Sequence, residues 1–223
     1  MEPYVYIKDA IITGQFEPGK RLTEEALAKQ LKVSRTPIRQ AIQQLESNGL
    51  VTPLKSRGVI VREFSIEDIR QIYNLRAILE SYAASEAALH CTSENYQQLL
   101  ETNNIYEDAI ARHKKMDIQS IKKIHQSNHD FHEAIFKATK NEHIRSLISK
   151  VVMVPLVFRS YYWYDEKQLL HSLEAHKTLL EAIKNKEPER AKVAMQEHIL
   201  HGRDNVLKHE SNINIKFWKG DAK

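Results

Sequence analysis

Apolar residues recur at helical spacing through most of this chain, and short polar or glycine-marked stretches reset the phase. Between Ser34 and Gly49, Ile38, Ala41, Ile42 and Leu45 fall on one side of a wheel of about 100° per residue, and Arg35, Thr36, Arg39, Gln40 and Gln43 on the other. Ser34 is a suitable N-cap, Pro37 sits in the first turn where its missing N–H costs little, and Gly49 suits the residue after the C-cap. A helix from Arg35 to about Asn48 is therefore predicted. Thr23 caps a shorter helix through Leu31, with Glu24 and Glu25 complementing its dipole and Leu22, Leu27, Leu31 and Val33 facing inward. Joined through Lys32-Val33, the two make a helix-turn-helix. Behind them, Gly49–Leu54 and Val59–Arg62 are β-favouring runs around a polar, glycine-ended tip, which predicts a hairpin wing.

Past Phe64-Ser65 the turn-rich part ends and helix formers dominate. Caps divide this region into helices from Ser65 to about Leu89, Ser93 to about His113, and Asp117 to Thr139. Another begins at Asn141 and bends near Pro155, followed by helices over Asp165–Asn185 and, with Pro188 in its first turn, Glu187–His209. About six such helices without strands imply a bundle. The fold class expected is mainly α: a winged helix-turn-helix over 1–64, an all-α bundle over 65–208 and a tail over 209–223.

Charge sharpens the picture. From Lys29 to Arg62 there are seven Lys or Arg against one acidic residue, Glu46, a local net charge of +6 against +4 for all 223 residues. That concentration on a helix, turn, helix and wing is an electrostatic footprint for phosphates. No apolar run approaches the roughly 18 residues of a membrane span, and no signal-peptide layout appears. The single cysteine, Cys91, forms no intrachain bridge and fits a reducing, cytoplasmic compartment.

The runs Gly14–Glu24, Leu27-Ala28, Val33–Arg39, Leu45-Glu46 and Gly49-Leu50 resemble the winged-helix reader of the GntR family of bacterial transcription regulators, over essentially residues 4 to 64. The resemblance implies that Arg35 and Arg39 read guanines or clamp phosphates, and that Thr36 contacts the backbone. The tip around Arg57-Gly58 would then enter the minor groove. Ser34, Gln43 and Lys55 complete the expected DNA-facing set. Arg suits the first role because its planar fork spans guanine O6 and N7.

Eleven histidines raise the question of a metal. His90, His113, His143, His201 and His209 sit near helix ends or on polar faces. Three others face inward: His176 replaces an apolar residue on the stripe Leu169, Leu173, Leu180, Ile183, His198 does so beside Ala191, Ala194 and Met195, and His132 shares a face with Asn128. Three inward histidines on three helices each need a buried partner. The arrangement Asn128–His132, Asn141, Glu174–His176 and Glu197-His198 is similar to the FCD effector-binding bundle of the FadR branch of the GntR family. That resemblance covers most of residues 68 to 208. It implies a divalent transition metal, Zn or Ni, on Asn128, His132, His176 and His198, with Asn128 standing where an aspartate is usual. Three imidazoles and an amide leave the ion's charge uncancelled, which favours a carboxylate effector.

Arg76 points the same way, on a stripe with Ile69, Ile72, Leu79 and Ala83, since a buried guanidinium is costly unless paired. Its partner is either the effector or Glu80, one turn away. Arg159 and Tyr161 are further effector-binding candidates. The whole is expected to act as a homodimer on a palindromic duplex. A structural metal without effector, a metalloenzyme and a constitutive DNA binder are the alternatives. Against an enzyme, His132-Glu133-Ala134-Ile135-Phe136 lacks the second His of a His-Glu-x-x-His site, no histidine follows a Glu by three, and no Gly-rich phosphate loop or nucleophile elbow occurs.

Overall fold

The computed structural model, which describes residues 2–55, 58–112, 117–151, 161 and 164–209, divides after Glu67 into two units. In the first, α1 (Pro3–Ile12), β1 (Arg21–Leu22), α2 (Glu24–Leu31), α3 (Arg35–Ser47), β2 (Val51–Pro53) and β3 (Val59–Val61) follow in order. The strands form an antiparallel sheet ordered β1-β3-β2, with Arg21 and Thr52 flanking Ile60. Ile7, Ile11, Phe16, Leu27, Ile38, Leu45, Val51 and Val61 make one core. Each such large side chain fully withdrawn from water contributes roughly 1.5–3 kcal/mol. This is a winged helix-turn-helix.

The expected faces of α3 are observed: Ile38, Ala41, Ile42 and Leu45 are buried, and Arg35, Thr36, Arg39, Gln40 and Gln43 are exposed. Its end is a Schellman motif. The Leu50 N–H donates to the Leu45 carbonyl and the Gly49 N–H to the Glu46 carbonyl, both at 2.9 Å, around Gly49 at φ 65°. Thr23 caps α2 as expected, accepting from the Ala26 N–H at 3.2 Å. Two details differ from expectation. Ser34 occupies the N-cap position of α3 but makes no side-chain cap hydrogen bond, and Val33 is 37% exposed rather than inward, because Lys32 turns the chain through the left-handed region at φ 55°. Gly58, at the base of the wing, is doubly required. Its φ is 102°, and a Cβ there would lie 2.6 Å from the Leu22 carbonyl oxygen.

The second unit is built, among the described residues, from six helices: α4 (Ile66–His90), α5 (Ser93–Ala111), α6 (Ile118–Ala138), α7 (Glu142–Val151), α8 (Glu166–Lys184) and α9 (Pro188–Leu207). The cap of α5 is Thr92, not Ser93, in a reciprocal box with Asn95. Asp165 and Gln168 make the same device on α8. The bend expected near Pro155 lies outside the described residues. The inner face of α4 is rotated from the expected stripe. Tyr73, Arg76, Ala77 and Glu80 are buried with Ile69, while Ile72 and Leu79 are only half-buried. The rotation leaves Leu75, Ile78, Tyr82 and Leu89 exposed along the outer side of α4. No helix among the described residues is long and apolar enough to cross a membrane.

Candidate functional site

On the first unit, the polar face of α3 carries Arg35, Thr36, Arg39 and Gln43 into solvent, preceded by Ser34 and accompanied by exposed Lys55 at the wing; Gly58 is half-buried. Arg57 lies outside the described residues. Two acids of α2 meet the arginines. Arg39 donates from Nε and Nη2 to the two carboxylate oxygens of Glu24 at 3.0 and 3.1 Å, and Arg35 lies 3.7 Å from Glu25. The hydrogen bond from Arg39 holds the Glu24 carboxyl below its ordinary range. The acids were read from sequence only as partners of the helix dipole, so their contact with α3 is a feature that sequence reasoning missed.

Inside the second unit, α6, α8 and α9 bring His132, His176 and His198 together, with one ring nitrogen from each lying within 4.8 Å of the others. His132 is fixed by Glu80 from α4, whose Oε2 lies 2.8 Å from His132 Nδ1. Burial would raise the Glu80 carboxyl, but the Arg76 guanidinium and then His132 outweigh it and pull the group down to about 2. An ionised carboxylate only accepts, so His132 Nδ1 carries a proton and, in the neutral ring, Nε2 carries the lone pair. That Nε2 stands 3.2 Å from His198 Nε2. Two nitrogens bound to one tetrahedral zinc ion at 2.0–2.1 Å would be about 3.3 Å apart.

His176 makes the strongest demand. It is fully buried, stacked on Phe131 at 4.0 Å, and neither ring nitrogen has a hydrogen-bond partner. Burial first, and the neighbouring imidazoles second, push it well below the ordinary histidine value, so its ring is neutral and able to act as a ligand. His198 keeps some accessible surface, yet desolvation is also the first cause of its lowered value. Asn128, one turn before His132 on α6, is buried with its Oδ1 unpartnered. Orphaned acceptors beside convergent imidazoles are what a cation would satisfy. The donor set therefore fits a borderline divalent ion such as Zn or Ni.

Arg76 is paired within the protein: its Nε donates to Glu80 Oε1 at 2.7 Å, with the two side chains 7% and 1% exposed. The i, i+4 spacing offered Glu80 as a partner for Arg76, but sequence reasoning missed that the same carboxylate orients a histidine. Tyr161 is buried nearby. It hydrogen-bonds to Tyr106, whose hydroxyl also donates to Ser172 Oγ at 2.9 Å and whose ring lies 4.9 Å from that of His176. Burial raises the Tyr106 phenol to about 12 and lifts that of Tyr161 well above its ordinary value, so both hydroxyls stay protonated as donors. Tyr106 and Ser172 carried no sequence signal separating them from core. Arg159 lies outside the described residues.

Comparison with known proteins follows the same division. Residues 4–61 match the profile of bacterial regulatory proteins of the gntR family, and residues 71–201 match the FCD domain. The chain is 30% identical over 206 residues to the uncharacterized HTH-type transcriptional regulator YdhC of Bacillus subtilis (strain 168), spanning 92% of this chain and 89% of that protein. It is 26% identical over 200 residues to the Nta operon transcriptional regulator of Aminobacter aminovorans, spanning 88% and 89%. The solved structure of E. coli McbR/YncC shares the fold, with a TM-score of 0.77 at 23% identity over 93% of this chain and 96% of that one.

Proposed function

The chain belongs to the GntR family of bacterial transcriptional regulators, in the branch that carries an FCD domain, and it is not an enzyme; from that premise we propose that it is a repressor whose operator affinity answers to a small carboxylate bound beside a divalent metal. Residues 1–64 serve as reader, 65–208 as sensor and dimerisation unit, and 209–223 as a tail. Two copies present two α3 helices to a palindrome, since one winged helix seldom buries enough surface for tight specific binding. Arg35 and Arg39 read or clamp, Thr36, Gln43 and Ser34 position the helix on the backbone, and Lys55 and Arg57 with Gly58 bring the wing to the minor groove.

The two unpartnered ring nitrogens of buried His176 carry the sensing half of this reading. Asn128, His132, His176 and His198 would hold the ion, which, once bound, supplies an uncancelled positive charge for an acidic oxygen. Glu80 holds His132 in the right tautomer, and second-shell partners of this kind tune metal sites. Arg76 gives Glu80 its Nε and keeps its terminal nitrogens for the effector's carboxylate, while the protonated hydroxyl of Tyr161, with Arg159, binds the effector's remaining polar groups.

The outer stripe of α4, Leu75, Ile78, Tyr82 and Leu89, is offered as the dimer face. It repeats at helical spacing and can meet its own copy across a two-fold axis. Ligand changes operator affinity only in so far as it prefers one spacing of the two readers. Native mass spectrometry of protein purified without chelator or affinity tag tests the assignment. The expected species is a dimer with one metal per subunit, and a metal-free dimer that still binds carboxylates would refute the metal assignment.

A further inference from the structure

The two arginines at the start of α3 do not meet α2 in the same way. Arg39 forms a side-on fork, Nε and Nη2 each bonded to one oxygen of Glu24, whereas Arg35 and Glu25 approach only to 3.7 Å with both side chains largely exposed. An exposed ion pair adds little to folding stability. The helix does not need Glu24 as a cap either, because the Thr23 hydroxyl already accepts from the Ala26 N–H. What two parallel charge-assisted hydrogen bonds do accomplish is to fix the plane of the guanidinium. The edge they use is the Nε–Nη2 edge, so the opposite edge, with Nη1 and the second Nη2 hydrogen, faces away from the carboxylate. That end of an arginine can span O6 and N7 of one guanine. The same carboxylate cancels the charge that would draw Arg39 to any phosphate it met.

We infer that Glu24 is a specificity-determining residue, holding Arg39 as a planar, charge-compensated fork that accepts a guanine edge and forgoes indiscriminate phosphate contacts. The inference rests on Arg39 being a base-reading residue. It also assigns different duties to the two arginines. Arg39 discriminates, while Arg35, held loosely, adapts to the backbone. Glu24 acts as a positioning residue through Arg39 and needs no contact of its own with the duplex.

The test uses full-length wild type, Arg39→Ala, Glu24→Gln and Glu24→Asp. Each selects duplexes from a pool of randomised DNA, and each is titrated against unselected duplex between about 50 and 200 mM salt. Arg39→Ala is expected to lose a guanine preference at one position of each half-site. Glu24→Gln should lose about tenfold or more of the preference at that same position. It should also bind unselected duplex more tightly, with a log–log salt slope steeper by about 0.9 as the freed guanidinium takes up one phosphate. Glu24→Asp, which keeps the charge, should retain more of the preference than Glu24→Gln. A purely structural role would move none of these readouts, and equal thermal midpoints check the fold. Full retention of the Arg39-dependent preference in Glu24→Gln, with an unchanged slope, overturns the inference. If Arg39→Ala itself keeps every base preference, the assignment of Arg39 to base reading fails, and the role of Glu24 fails with it; the two failures are distinguished by which variant stays unchanged.

Discussion

Replacing Glu80 by leucine should be among the most damaging single changes to the helical unit. Its carboxylate, 1% exposed, accepts from Arg76 Nε at 2.7 Å and faces His132 Nδ1 at 2.8 Å. Glu80→Leu leaves the guanidinium of Arg76 buried and uncompensated, a change that costs roughly 3–5 kcal/mol in comparable buried pairs. With about 2–4 °C of midpoint per kcal/mol for a unit of this size, the transition should fall by roughly 6–20 °C. The double variant Arg76→Met/Glu80→Leu removes both charges at similar volume. It should recover most of that loss, leaving about 1–3 kcal/mol for the orphaned His132 Nδ1. Urea titration followed by far-ultraviolet circular dichroism on wild type, both single variants and the double variant completes the cycle. In the double variant the metal should bind about 10–100-fold more weakly, because the residue that orients His132 is gone. A Glu80→Leu protein within about 1 kcal/mol of wild type, or a double variant no more stable than the single one, would show that Arg76 is compensated elsewhere and that the Arg76–Glu80–His132 chain does not organise the histidine cluster.

Four further outcomes are expected. Arg39→Ala should weaken binding to a selected duplex by roughly 1–3 kcal/mol in fluorescence anisotropy with a smaller loss on scrambled DNA, whereas Arg35→Ala should weaken both alike; equal losses for Arg39→Ala would reduce it to a phosphate contact. His132→Ala and His176→Ala should abolish stoichiometric metal in elemental analysis while retaining wild-type helix content. Ile78→Glu, on the exposed stripe of α4, should shift sedimentation from dimer toward monomer, and an unchanged dimer would place the interface elsewhere. Lys140→Gly, at a position with φ 56° where Lys is strained, should raise stability by roughly 0.5–1 kcal/mol in chemical denaturation; a loss would show that the Lys140 side chain contributes more than its backbone costs.

What the chain disclosed in advance was what a single element records in its own pattern. The two faces of α3, the Gly49 stop, the Thr23 cap and the stripe Leu169, Leu173, His176, Leu180, Ile183 are each local, and all were readable from spacing. Helix α1 was not anticipated, because Glu2 and Pro3 mark its start only weakly and its three buried positions, Ile7, Ala10 and Ile11, are too few to establish a period. Strand β1 is two residues long and exists only through pairing with β3. The phase of α4 was misjudged because this helix is apolar on two sides, so Ile72 and Leu79 competed with Tyr73 and Glu80 for the inner face. Convergence of His132, His176 and His198 required three helices to pack together. Inward placement of each could be read, whereas the Glu80 bridge to His132 and the Tyr106–Tyr161 pair are tertiary contacts that no spacing encodes.

The central claim, that occupancy of the histidine cluster controls the grip of α3 on DNA, is tested most directly by one titration. Anisotropy of a labelled duplex selected by the wild-type protein is followed with chelated protein, with added Zn or Ni, and with metal plus a panel of small carboxylates, in parallel with His176→Ala. The account predicts that metal together with at least one carboxylate weakens operator binding in wild type, and that the His176→Ala protein binds the duplex without responding. Identical affinity of the wild-type protein under all three conditions would contradict it.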